Sequence, residues 1–288
     1  MFFNRDEFEA DGAWRHRIAA VVLVLGVLLG SGVFVKLYAW DQTTQLTCPV
    51  QPGIYADSKP LPIAHHLLLV DTTDKYDASD IRIFEQAVDD EARRTKRCDR
   101  FSVFSVESDK PNEPTLRITR DVPVDANATD AWDRRADYYN VIWKSEFGDP
   151  VAKETMAQIK REKQQTSPII ESIFAIARQP DFGASVPSRR LIIVSDMLQN
   201  SIYDGAVISH YSPAPPDFTS FAQTEFGRDF APNLKNVTVE IYYLQRPDAL
   251  RYQSKAHCQF WRDFFTHAQA HVIIHGGAAD CDSHLAAR

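Results

Sequence analysis

An unbroken run of 18 uncharged residues, Ile18 to Val35, divides this chain into two unequal parts. With Lys36, Leu37 and Tyr38 it reaches 21 residues, about 31 Å of helix at ~1.5 Å per residue, which matches a hydrocarbon core of about 30 Å. Lys36 can snorkel to the interface, and Tyr38 and Trp40 suit its aromatic belt. Arg15, His16 and Arg17 precede the run, and the next Lys or Arg after Lys36 is Lys59. The positive-inside rule then puts the N-terminus in the cytoplasm and the rest outside. A cleaved signal peptide is the competing reading, but its apolar region is shorter, and Leu37-Tyr38-Ala39-Trp40 is a poor cleavage site. The expected organisation is a cytoplasmic tail (1–17), a transmembrane signal anchor through the lipid bilayer (18–38), a linker (39–63) holding Pro49, Pro52, Pro60 and Pro62, and an extracytoplasmic domain (64–288). The expected setting is a bacterial inner membrane with the domain in the periplasm. Gly26 and Gly30 form a small-xxx-small pair, which permits a homo-oligomer through the span.

Cys48, Cys98, Cys258 and Cys281 all follow the span, and their even number suits two disulfides in an oxidising compartment. Of three pairings, Cys48 with Cys98 and Cys258 with Cys281 join neighbours in sequence. No two cysteines are two to four apart, so the usual zinc spacing is missing. With 44% hydrophobic and 25% charged residues the chain is globular. A net charge of −7 without a Lys/Arg run argues against a nucleic-acid partner.

From His65 onward strands and helices alternate. Leu67-Leu68-Leu69-Val70 and Leu191-Ile192-Ile193-Val194 are short continuous apolar runs, as in strands buried on both faces. Ser79 to Arg94 reads as a helix capped by Ser79, with Ile81, Phe84 and Val88 on one face. Phe101–Val106 is a second strand. Leu116–Arg120 is a third, and the short link between them predicts antiparallel pairing. A helix is expected from about Pro150 to Lys163 and another from Pro168. Val237 to Tyr243 alternates as a strand with one less buried side. Phe260, Trp261, Phe264, Phe265 and Ala268 mark the last helix, and Val272-Ile273-Ile274 closes the sheet. The pattern predicts an α/β fold, a doubly wound, mostly parallel, Rossmann-like sheet preceded by one transmembrane helix.

In such sheets ligands bind outside the carboxyl ends of the strands. Asp71 and Asp196 end the two apolar strands, and Thr166-Ser167 precedes a helix. Three loops thus bring Asp71, Thr73, Ser167 and Asp196 together. Hard oxygen donors of this kind suit Mg²⁺, Mn²⁺ or Ca²⁺. Asp71-Thr72-Thr73-Asp74-Lys75, Thr166-Ser167-Pro168 and Ser195-Asp196-Met197 resemble the three loops of the von Willebrand factor A domain. There an Asp-x-Ser-x-Ser loop, a Thr before a helix and a Thr-Asp-Gly-like turn form a metal-ion-dependent adhesion site. The resemblance covers roughly residues 64–277 and implies a protein-binding module, here part of an envelope-associated assembly. Lys75 stands in place of the second Ser and Met197 in place of the Gly. The resemblance leaves two arrangements open: an ion held by Asp71, Thr73, Ser167 and Asp196, or the Lys75 ammonium in the ion's place. Partner-binding residues on either are Asp71, Thr73, Lys75, Ser167 and Asp196.

Two other function classes use the same features. A metal-dependent hydrolase or phosphotransfer enzyme would employ Asp71 as nucleophile or ligand. A single-pass sensor would signal by dimerisation. No phosphate-binding Gly-x-x-x-x-Gly-Lys loop or Gly-x-Ser-x-Gly elbow is present. His267, His271 and His275 have helical zinc spacing, but Val272-Ile273-Ile274 reads as strand. His65 and His66 read as surface or edge residues. The aromatic-rich insertions at 122–150 and 203–232 suit either a protein interface or a cover for the sheet.

Overall fold

The computed structural model describes residues 61–108, 113–124, 141–159, 164–212 and 217–276. The chain divides into Met1–Pro49 and Val50–Arg288. The first unit, which holds the expected tail and span, lies outside the described residues, as do Trp132, Tyr138, Tyr139, Cys48 and Cys281. Among the described residues no helix is long and apolar enough to cross a membrane.

Six strands form the main sheet: β1 (Ala64–Asp71), β2 (Arg100–Val106), β3 (Thr115–Asp121), β4 (Ser188–Ser195), β7 (Val237–Tyr243) and β8 (His271–Gly276). Their order is β3-β2-β1-β4-β7-β8. All neighbours are parallel except β2 and β3, the antiparallel pair expected from their short link. The chain winds outward from β1 to β2 on one side and continues through β4, β7 and β8 on the other. The point where the winding reverses therefore lies between β1 and β4.

The middle stretches of the central strands, Leu67–Val70 and Leu191–Val194, are apolar because both faces are covered. Leu67, Leu69, Leu191 and Ile193 pack on one side, and Leu68, Val70, Ile192 and Val194 on the other. The first side is closed by α3 (Ile169–Ala177), α4 (Phe218–Ala222), α5 (Glu225–Asp229) and α6 (Lys255–His267). The second is closed by α1 (Ala78–Arg94), a π-helical turn at Trp143–Gly148 and α2 (Asp149–Gln158). In α1 the cap is Asp77 rather than Ser79. Its carboxylate accepts from the Ser79 and Asp80 amides while Asp80 reaches back to the Asp77 amide, a complete capping box. β7 is buried on both sides save Thr238, because α1 covers the side expected to be open: Tyr242 packs in its cluster and Glu240 meets Arg94.

The 203–232 insertion is mostly cover. Phe221 and Phe226 are buried, and Tyr203, Phe218 and Phe230 pack against them. It also contributes a hairpin, β5 (Asn200–Tyr203) with β6 (Ala206–Ser209), turned through Asp204 and Gly205, both at positive φ. His267 ends α6, whereas His271 and His275 lie on β8 with exposed side chains, so the three do not share a helix face.

His65 and His66, expected at the surface, are buried. The partners that keep them there come from distant parts of the chain. His65 bonds Ser102 and the Asp181 carbonyl. His66 lies between Glu91 (2.5 Å) and Asp99 (3.2 Å). Glu91 also takes Arg190 (2.6 Å) and Arg94 (3.1 Å), and both arginines continue to Glu240, which meets His275 at 2.6 Å. A ladder of alternating charge thus runs from the amino ends of β1 and β4 across the middle of β7 to His275 on β8. Burial pushes the Glu91 carboxyl up, but His66 and Arg190 outweigh it and hold it at about 2. Burial lowers His66, and Asp99 and Glu91 more than compensate, so its value rises.

Glu91 therefore stabilises the fold fully above its ordinary value of 4.5, and that share, on the order of 3 kcal/mol, is lost as pH falls toward about 2. His66 acts oppositely: its share is complete below its ordinary 6.5 and is lost as pH rises through the elevated folded value. Glu91→Gln is expected to cost about 3 kcal/mol at pH 7, because it strands His66 and Arg190. It should also flatten the acid limb of a urea-denaturation series from pH 5 to pH 2.5.

Candidate functional site

Parallel pairing of β1 with β4 sets Val70 opposite Val194. The next residues, Asp71 and Ser195, therefore leave the sheet side by side, and the Ser195 hydroxyl donates to Asp71 Oδ2 at 2.7 Å. The Ser167 hydroxyl donates to the same oxygen at 3.2 Å. Thr73 donates its amide (3.1 Å) and hydroxyl (2.6 Å) to Oδ1. Asp71 is thus a buried carboxylate satisfied by four donors from three loops.

Each loop is pinned separately. Thr72 bonds the Val106 carbonyl at 2.9 Å, tying the first loop to β2. Tyr76 donates to the Asp71 carbonyl at 2.9 Å. Ser167 and Asn200 exchange both backbone hydrogen bonds (2.6 and 2.9 Å), which fixes the second loop to β5. Gln199 locks that junction by accepting from the Ile170 amide and donating to Glu171 and Ser201. Thr166 turns away and meets Ser108 at 2.6 Å, so Ser167 is the residue of the pair that reaches Asp71.

In the third loop Asp196 Oδ1 accepts from the Leu198 amide at 2.9 Å. Met197 has φ +60°, the left-handed conformation that glycine adopts most readily. The Met197 side chain is fully buried in the core. Its carbonyl accepts from Trp261 Nε1 at 3.0 Å.

The charge facing Asp196 comes from a fourth loop that sequence reasoning missed. Arg246, just beyond β7, places Nε 3.4 Å from Asp196 Oδ2, and its Nη1 bonds Asp80 and the Lys75 carbonyl (3.3 Å). The guanidinium carbon lies 5.6 Å from the Tyr76 ring centroid. Gln253 holds this loop, accepting from the Arg246 amide and donating to the Asp196 and Leu244 carbonyls. Lys75, one of the two cations left open by the sequence, is exposed, and its backbone carbonyl joins the cluster. Burial first and the Asp71 charge second hold the Asp196 carboxyl well above the usual range, against the opposing pull of Arg246. Applied to β7, the rule that sites gather at the carboxyl ends of strands points to Arg246 from sequence alone.

Beside Asp71 opens a cleft of about 380 Å³ lined by Thr73, Asp74, Gln164, Thr166, Asn200 and Tyr211, among others. Its lining is hydroxyl and amide, with one acid and no base. Burial and the carboxylates of Asp196, Asp74 and Asp71 raise the Tyr211 phenol above its ordinary value, which marks the cleft as electronegative. Below the Asp196 loop, His210 and His257 face each other at 3.1 Å, and Tyr243 meets His257 at 2.6 Å. Burial lowers His257 to about 4 and, with His257 beside it, His210 well below its usual value.

Tested against these contacts, the donor set expected for a divalent ion fits one poorly. Asp71 has both oxygens committed to hydroxyl and amide donors, the second motif hydroxyl is replaced by the outward-facing Lys75, and a guanidinium stands where positive charge is needed. Among the described residues no group of three or more His, Cys, Asp or Glu is arranged to hold a metal.

No protein-family model matches the chain, and no curated protein matches it. Among solved structures, the crystal structure of the SpRpn10 VWA domain aligns with 77% of this chain and 91% of that one, at 11% identity and a TM-score of 0.33.

Two outcomes are expected. Met197→Gly removes about 1–2 kcal/mol of left-handed strain but also a buried side chain worth about 2–5 kcal/mol. A net loss of roughly 1–3 kcal/mol should appear in urea denaturation, and a gain would contradict the burial argument. Because the unfolded chain protonates His257 below 6.5 while the folded one does so only near 4, stability should fall as pH drops through that window. His257→Gln should make that segment of the curve shallower.

Proposed function

We propose that this chain is a membrane-anchored, extracytoplasmic protein-binding module of the von Willebrand A type, a component of an envelope-associated assembly. The observation that carries the reading is the convergence of Asp71, Thr73, Ser167 and Asp196 from three loops at the reversal point of the sheet, beside an open cleft. Next to that cleft the β5–β6 hairpin presents Ile202 and Val207, which are cross-strand partners and 63% and 69% exposed. A polar cleft flanked by an apolar pair has the anatomy of a docking surface, with apolar area for affinity and directed polar groups for specificity.

The hydrolase alternative is less well supported. A nucleophilic Asp71 needs a free oxygen, and each of its oxygens already accepts two hydrogen bonds. The anchor and the periplasmic setting rest on the Ile18–Val35 run and its flanking charges. The even number of cysteines, all after the apolar run, supports the same compartment. On this reading Cys48 pairs with Cys98, and Cys258 with Cys281.

Affinity capture of the full chain in mild detergent tests the docking surface. An Ile202→Asp, Val207→Asp double variant and an Asp71→Ala, Asp196→Ala double variant should each lose partner recovery by tenfold or more, with circular dichroism confirming that they fold. Unchanged recovery from both would remove the cleft and hairpin from the function. Non-reducing peptide mapping should return the two disulfides named above, and crossed pairs would refute the pairing.

A further inference from the structure

We propose that Arg246 is the resident cation of this crevice, holding the loops after β1, β4 and β7 together without a divalent ion. The inference rests on the reading above for its functional meaning, and its test does not use the partner.

The argument starts from charge. Asp71, Asp80 and Asp196 are all buried within this one cluster. Buried carboxylates must be paired, hydrogen-bonded or protonated. Asp71 is satisfied by hydroxyls and an amide. Asp80 and Asp196 each accept one backbone amide, and Arg246 bridges them, its Nη1 on Asp80 and its Nε on Asp196. A guanidinium suits this task because it is planar, carries five donors in a fixed fork and stays charged. The same group reaches the Lys75 carbonyl and faces the Tyr76 ring. It thereby ties the first-loop backbone, the first turn of α1 and the third loop to one point.

Arg246 is also built in rather than laid on. It is 9% exposed, and Gln253 fixes its backbone to the Asp196 carbonyl. A divalent ion entering next to Asp196 would meet this charge at close range, where like-charge repulsion in a partly desolvated site amounts to several kcal/mol. One consequence concerns the partner. Because the cation is enclosed and the open cleft is electronegative, a partner carboxylate has nothing there to ligate. The group that enters is an amide, a hydroxyl or a base.

The full chain in detergent tests this directly. Calorimetric titration with MgCl₂, MnCl₂ or CaCl₂ should give no saturable heat, and the melting temperature should be the same in EDTA and in millimolar divalent salt. Arg246→Gln should melt several degrees lower, and Mn²⁺ or Mg²⁺, but not matched ionic strength of NaCl, should restore part of that loss by neutralising the exposed carboxylates. Arg246→Lys, which keeps the charge but loses the fork, should fall between the two. Saturable binding of any of the three ions to the unaltered protein with Kd below about 1 mM would overturn the proposal, as would an Arg246→Gln variant as stable as the parent. Should Arg246→Gln not fold, the titration of the unaltered protein and the melting of Arg246→Lys decide the matter. An Arg246→Lys variant that itself gains saturable Mg²⁺ or Mn²⁺ binding supports the proposal, and one that melts with the parent refutes it.

Discussion

A carboxylate at the end of a central parallel strand has to be satisfied where water does not reach, and the architecture around Asp71 follows from that requirement. Left unpaired, such a group would cost several kcal/mol or take up a proton. The β1–β4 register supplies Ser195, the loop before α3 supplies Ser167, and the local turn supplies Thr73. None of these donors could reach Asp71 unless its own loop were fixed. The supports behind them, Thr72 on Val106, Ser167 on Asn200 and Gln253 on Asp196, are part of the same solution.

The two ends of the sheet handle charge differently. From the amino ends of β1 and β4 to the middle of β7, His66, Glu91, Arg190, Arg94 and Glu240 alternate in sign, and each ion has partners on at least two elements. That arrangement compensates its own desolvation and can be buried beneath α1. At the carboxyl ends, Asp71, Asp74, Asp80 and Asp196 face one enclosed guanidinium, and the remaining acidity is expressed in the cleft. A surplus of one sign costs stability, so it persists where the fold leaves room for a ligand to relieve it.

What could be read in the sequence was what repeats locally. Leu67–Val70 and Leu191–Val194 announce strands because burial on both faces removes polar residues from them. Asp71 and Asp196 were legible for the same reason, each being the first charge after such a run. β5 and β6 were not, because four-residue strands with exposed Ile202 and Val207 carry neither alternation nor a continuous apolar run. Asp77 and Ser79 are both capping residues two positions apart, and only the reciprocal bond that Asp80 accepts from the Asp77 amide distinguishes them. His65 and His66 looked like surface residues because their partners stand 25 to 116 positions away.

Lys75 and Arg246 show the same limit where function is concerned. Proximity in sequence favours Lys75, four residues after Asp71. The loop, however, turns the Lys75 carbonyl into the cluster, and a residue whose carbonyl is drawn inward has its side chain free to leave for water. The inward carbonyl is itself an acceptor and needs a donor, which an ionised carboxylate lacks. Arg246 meets that need and pairs with both Asp80 and Asp196 through one group. The change from the second motif Ser to Lys75 is thus tolerated because the loop's charge balance is set from β7, on the other side of β4, where a third strand end delivers a cation already paired and oriented.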